Sequence, residues 1–215
     1  MKRHRFNLEI IYLISQLRNK TKKKIKPMSF LIIDQFGKDP FLLLISCLLS
    51  LRARDAVTLP VSLKLFSQVR TPQDVLDLSL QYLELLIYPV GFYKRKAFQI
   101  KQISNIILDQ YGGQVPNTET ELLRLPGVGI KTANLVLGMA FDIPAICVDI
   151  HVHRISNRLG IVTTKTPEQT EKKLKIVLPK EYWIEWNRLL VTWGQNVCPR
   201  KQVCELCDRA QLRKR

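Results

Sequence analysis

Two side chains offer chemistry in this sequence, the amine of Lys131 and the carboxylate of Asp149. Lys131 lies in the run Leu125-Pro126-Gly127-Val128-Gly129-Ile130-Lys131-Thr132-Ala133, and Asp149 opens Asp149-Ile150-His151-Val152-His153-Arg154. An amine in the first turn of a helix meets the positive end of the macrodipole, which opposes a further cation and favours the neutral, nucleophilic form. Such an amine can attack a sugar carbon and form a Schiff base. A lysine that only meets solvent or phosphate fits the same position. Asp149 at a helix start fits an N-cap by residue type. The same carboxylate could also take protons and stabilise the cationic sugar formed as a base departs. Capping and catalysis are compatible.

The elements around these residues must hold them in place. Thr118 and Glu121 have the spacing of a capping box and start a short helix that ends in the Pro126-Gly127 turn. A second helix begins near Ile130, with Gly129 expected to take backbone angles that a β-carbon forbids. A helix, a Gly-x-Gly hairpin and a second helix aim main-chain N–H groups at a phosphate oxygen without reading base identity. Leu125, Gly127, Val128, Gly129 and Thr132 are therefore the candidate DNA-contacting residues of the hairpin, although an ordinary turn between helices has the same pattern. A third helix starts at Asp149, carries Val152, Ile155 and Leu159 on one face, and stops at Gly160. His151 and His153, two apart, point to different sides and form no metal pair; His151 and Arg154 are candidates to face phosphate.

The rest of the chain reads as helices of ordinary length with no sustained apolar/polar alternation, so the fold class is all-α. Pro40 precedes a buried helix from Phe41 to about Arg52, and Thr71-Pro72 opens another. The 34 Lys and Arg against 18 Asp and Glu give a net charge of +16 over 215 residues. That excess favours a polyanionic partner, with nucleic acid foremost, because each cation on a phosphate releases counterions. Glu9, Ser15 and Gln16 break the apolar stretch from Leu8 to Leu17, and the run Phe41 to Leu51 is too short to span a bilayer. A soluble, intracellular protein is expected. Of five cysteines, Cys47 and Cys147 sit in apolar runs, while Cys198, Cys204 and Cys207 lie close together near the end and point to a metal or cluster site.

The run from Leu125 to Leu159 resembles the helix-hairpin-helix and catalytic helix of the endonuclease III family of DNA glycosylases, with weaker similarity from about Pro40 to Cys207. The resemblance implies that Lys131 is the Schiff-base lysine and Asp149 the catalytic aspartate. It further implies two helical lobes, 33–143 with the hairpin and 1–32 plus 144–215, with the DNA-binding cleft between them. In Leu48-Leu49-Ser50-Leu51-Arg52-Ala53-Arg54-Asp55, Arg52 stands where the family commonly has a glutamine that fills the gap left by a flipped base. In Gly91-Phe92-Tyr93-Lys94-Arg95-Lys96-Ala97, Phe92 takes the place of an apolar wedge, and Tyr93 and Lys96 complete a DNA-facing loop. Lys94, Arg95 and Lys96 also fit a merely solvated face.

The same resemblance implies a 4Fe-4S cluster on the tail. Here the spacing is Cys-x5-Cys-x2-Cys against the family's Cys-x6-Cys-x2-Cys-x5-Cys, and Arg213 stands at the fourth position. Three thiolates are one short of the usual set, so the cluster is expected to be incomplete or absent. No other cofactor is required. The function implied is a DNA N-glycosylase with AP-lyase activity in base excision repair, acting as a monomer on oxidised pyrimidines in double-stranded DNA, and placed in the cytoplasm with the nucleoid. A mismatch or uracil-type glycosylase of the same fold, or a non-catalytic helix-hairpin-helix binding module, remains the alternative.

Overall fold

The computed structural model describes residues 2–199 and 204–212, and among them all regular structure is helical. The helices are α1 (Lys2–Thr21), α2 (Met28–Phe36), α3 (Pro40–Ser50), α4 (Asp55–Phe66), α5 (Pro72–Asp77), α6 (Leu80–Ile87), α7 (Tyr93–Tyr111), α8 (Glu119–Leu122), α9 (Ile130–Ala140), α10 (Ile150–Arg158), α11 (Pro167–Val177), α12 (Trp183–Asn196) and α13 (Glu205–Leu212). A 3₁₀ turn at Lys180–Tyr182 leads into α12. None of them is long and apolar enough to cross a membrane. They gather into a central unit, Met28–Ile143, and a terminal unit, Met1–Pro27 with Pro144–Arg215. The first boundary lies at residue 28 rather than 33 because Met28 is anchored in the central unit. Its N–H donates to Asp55 Oδ2 at 3.4 Å, and the Thr58 hydroxyl lies 3.1 Å from its sulfur.

The central unit is built round α3. All nine residues from Phe41 to Leu49 are buried, and α2, α4, α7 and α9 pack around them. A helix apolar on every side can only be a core helix. Asp39 caps its start by accepting from the Leu42 N–H at 2.9 Å, with Pro40 in the first turn. It ends at Ser50, short of the expected Arg52, because Arg52 adopts a left-handed φ of 55°. Thr71 and Asp74 form a full capping box at α5. At α8 only half the expected box forms: Thr118 accepts from the Glu121 N–H, while the Glu121 carboxylate turns to the Thr118 hydroxyl at 2.6 Å.

The core of the terminal unit brings Ile10, Ile14 and Leu17 of α1 against Val152 and Ile155 of α10, Leu174 of α11, and Trp186, Leu189 and Leu190 of α12. The three tail cysteines belong to the same cluster. Arg18 closes the edge of this unit with a two-pronged pair to Glu185, at 2.8 and 2.6 Å.

Candidate nucleic-acid interface and catalytic residues

In the central unit, the hairpin between α8 and α9 turns at Gly127, which takes φ +78°. A β-carbon there would also stand 2.6 Å from the Gln99 amide nitrogen on α7. Gly129 does not need its conformational freedom: its φ is −104°, so the expectation that it takes forbidden angles is corrected in favour of Gly127. Around Gly129 a β-carbon would meet nothing within 4 Å, which leaves the main chain open to close approach. No side chain caps α9, so its first N–H groups keep no intrahelical partner and present a ready anion site. The Val128 N–H is used inside the turn, donating to Leu125 O at 3.1 Å. The side chains of Leu125, Val128 and Thr132 are buried and shape the hairpin from within.

Lys131 is exposed in the first turn of α9. Beneath it, on α3, the Cys47 thiol is pushed up to about 12 by burial, against the opposing pull of the Lys131 charge.

In the terminal unit, Asp149 caps α10. Its Oδ1 accepts from the N–H groups of His151 at 2.9 Å and Val152 at 2.8 Å. Both capping bonds fall on one oxygen, Oδ1. The two histidines diverge. His153 Nδ1 meets the Thr170 hydroxyl at 2.6 Å, whereas His151 Nδ1 lies 3.2 Å from the Arg154 guanidinium. Arg154 does not stand out towards phosphate: it donates to the Cys198 carbonyl at 2.6 Å and its Nε is buried. The expected phosphate contact through this side chain is thereby corrected to an internal tie. Sequence reasoning missed Gly194 on α12, which packs directly against His151. A glycine inside an apolar helix pattern was the available signal.

Three exposed residues of the central unit hold left-handed backbone, Arg52 at φ 55°, Phe92 at φ 60° and Asp142 at φ 53°. Phe92 is 63% exposed. Phe92 thus combines left-handed backbone with an exposed aromatic ring. Tyr93 is half-buried, edge-on to Tyr88 at 5.4 Å. Lys94 and Arg95 are exposed, but Lys96 is not. The expectation that Lys96 faces DNA is corrected. Lys96 is 5% exposed, and its ammonium donates to Leu49 O at 2.7 Å and Leu51 O at 2.8 Å. Burial lowers its pKa to about 8.

Cys198, Cys204 and Cys207 bring their sulfurs within 4.8 Å of one another, all buried. Burial would raise the Cys204 thiol, but hydrogen bonds from the Cys207 main chain, the Trp193 indole and the neighbouring thiols outweigh it and hold it low. Burial first, then Cys204 and Cys198, push Cys207 far up. Arg158 donates to the Cys198 sulfur at 3.1 Å. Among the described residues no fourth ligand joins the three, and Arg213 lies outside those residues. Three cysteines can hold a metal ion, but they do not complete the four-thiolate set of a 4Fe-4S cluster.

Residues 45–180 match the family described as HhH-GPD superfamily base excision DNA repair protein. The chain is 50% identical over 170 residues to Endonuclease III of Thermotoga maritima, covering 79% of this chain and 80% of that one. It is 39% identical over 169 residues to Endonuclease III of Escherichia coli, covering 78% and 80%. Among solved structures, a trapped Endonuclease III–DNA covalent intermediate is similar with a TM-score of 0.80 at 32% identity, over 97% of this chain and 99% of that one. A thermostable thymine-DNA glycosylase shares the fold, with a TM-score of 0.78 at 22% identity over 96% and 98%.

Proposed function

The chain belongs to the HhH-GPD superfamily of base excision DNA repair proteins, and on that premise we propose that Lys131 is its nucleophile and Asp149 its proton-handling carboxylate. The protein is a bifunctional DNA N-glycosylase and AP lyase of base excision repair. The observation that carries the assignment is the exposed amine of Lys131 in the uncapped first turn of α9, in a chain half identical to an Endonuclease III.

The amine attacks C1′ of the damaged nucleotide, the C1′–base bond breaks and the base leaves protonated; the C1′–O4′ bond then opens, O4′ takes a proton, and a Schiff base links Lys131 to the sugar. Asp149 assists proton transfer and stabilises the cationic sugar. Loss of a C2′ proton then breaks the C3′–O bond by β-elimination and cuts the strand 3′ to the site. The main-chain donors at the start of α9 take a phosphate oxygen. Phe92 enters the base stack as a wedge, and Arg52 occupies the space left by the flipped nucleotide.

The partner is damaged duplex DNA, in keeping with the Endonuclease III–DNA complexes among the structural neighbours. The protein acts as a monomer. Oxidised and ring-saturated pyrimidines are the lesions we assign; the mismatch glycosylase alternative has behind it a likeness of fold alone. Borohydride trapping on thymine-glycol and abasic duplexes tests substrate and mechanism together. Wild type should give a covalent adduct on both and Lys131→Ala on neither. A Lys131→Ala protein that traps at wild-type yield removes the assignment.

We assign the tail an incomplete cluster site, supported by the three cysteines with no fourth ligand beside them among the described residues. Iron and acid-labile sulfide at about four of each per chain in anaerobically prepared protein would overturn that.

A further inference from the structure

The four-carbon stem of Lys96 runs through the core of the central unit to the carboxyl end of α3. The last carbonyls of a helix have no intrahelical donor, and each one here finds a partner. Cys47 O accepts from the Ser50 hydroxyl, and Leu48 O from the Leu51 N–H. Ser50 O accepts from the Ala53 N–H. Leu49 O and Leu51 O are left for Lys96 Nζ. A cation at this end also meets the negative pole of the helix. The same residue donates its main-chain N–H to Phe92 O at 3.0 Å, the first bond of α7. Lys96 thus grips Phe92 through its backbone and the residue before Arg52 through its side chain. The two loops also run close here, since a β-carbon on Gly91 would lie 3.9 Å from Arg52 O.

We propose that Lys96 is a positioning residue for base extrusion, which holds the left-handed turns at Arg52 and Phe92 in register so that both side chains enter the duplex together. The proposal rests on the wedge and gap-filling roles given above to those two residues. It predicts a defect confined to duplex substrates, where a base must leave the stack; single-stranded substrates need no extrusion.

Lys101, further along α7, supplies the control. Its ammonium bonds Leu76 O at 2.9 Å and Leu78 O at the end of α5, the same chemistry on a turn where neither residue is left-handed.

The experiment measures cleavage of a thymine-glycol oligonucleotide, single-stranded and in duplex, by wild type, Lys96→Met, Lys96→Gln and Lys101→Met. The duplex-to-single-strand rate ratio should fall on the order of tenfold in both Lys96 variants. It should stay at the wild-type value in Lys101→Met, whose melting temperature drops. In a Phe92→Ala background, Lys96→Met should change the ratio far less than it does alone, because coupled residues are not additive. A parallel loss on both substrates, an unchanged ratio, or additivity with Phe92→Ala overturns the proposal. Failure of both Lys96 variants to fold does so too, since Lys96 would then serve the fold alone. Absence of wild-type cleavage on the single strand would instead count against the lyase reading itself.

Discussion

Gly194 and His151 pack so closely that no side chain fits between them. A β-carbon on Gly194 would fall against His151 Nδ1, with the ring Cγ and the side-chain Cβ at 2.8 and 2.9 Å. Helix α12 can therefore approach α10 only because position 194 is glycine. The displaced atoms belong to the first turn of α10, two residues beyond Asp149, whose carboxylate bonds the His151 N–H. Gly194→Ala should destabilise the protein by roughly 1–3 kcal/mol, the usual range for overpacking. It should also lower turnover more than duplex affinity. Thermal melting and single-turnover kinetics check this together. Wild-type turnover with a lowered melting temperature would mean that the cap tolerates the shift.

Asp149→Asn separates capping from chemistry. Asn caps about as well as Asp, and its single carbonyl oxygen can keep both N–H bonds that Oδ1 now accepts. Proton transfer is lost with the carboxylate. Turnover should fall by about 10²- to 10⁴-fold with little change in melting temperature. A variant that melts early and turns over normally would make Asp149 a structural cap only.

The two hairpin glycines should fail in opposite ways. Gly127→Ala meets a φ of +78° and the Gln99 amide, so it strains the turn by roughly 1–2 kcal/mol before the clash is added. Gly129→Ala has ordinary backbone and open space. Its fold should hold, while its methyl group stands where a phosphate must approach, weakening duplex binding on the order of tenfold. Melting curves and fluorescence anisotropy distinguish them. Wild-type affinity in Gly129→Ala would place the phosphate elsewhere.

Acid should loosen the terminal unit through Glu185. The hydrogen bond from Arg18 and then its charge, with help from Arg188, hold this carboxyl below its ordinary 4.5 despite the opposing effect of burial. A carboxyl with a folded value below its unfolded one binds fewer protons in the native state. Its stabilisation is complete above about pH 4.5 and is lost as pH falls through the lowered folded value. Glu185→Gln should be less stable than wild type at pH 7, and the gap should narrow below pH 4.5 as wild type loses its pair. A gap constant with pH in urea titrations would show that the pair contributes nothing.

Local signals made α10 legible from sequence. An Asx cap, apolar residues at Val152, Ile155 and Leu159, and Gly160 at φ 70° all lie within one short stretch. The hairpin was legible as a motif, but a Gly-x-Gly pattern does not say which glycine is left-handed, nor that Gln99 of α7 packs against Gly127. Lys96 was illegible for the same kind of reason. Inside Lys94-Arg95-Lys96 it looks like one more solvated cation, and the carbonyls that draw it inward lie 47 and 45 residues away. The left-handed turn at Arg52, which stops α3, is likewise hidden by the continuous apolar run before it.

Two of the five cysteines, Cys47 and Cys147, are also native clocks. Cys47 in the central unit and Cys147 in the terminal unit are 5% and 3% exposed. Each thiol can react with an alkylating reagent only while its surroundings open. The rate at which each is labelled under native conditions therefore reads the opening of its own unit, with no probe introduced. Mass spectrometry of the two peptides, with and without duplex DNA, would report which half of the molecule DNA stills.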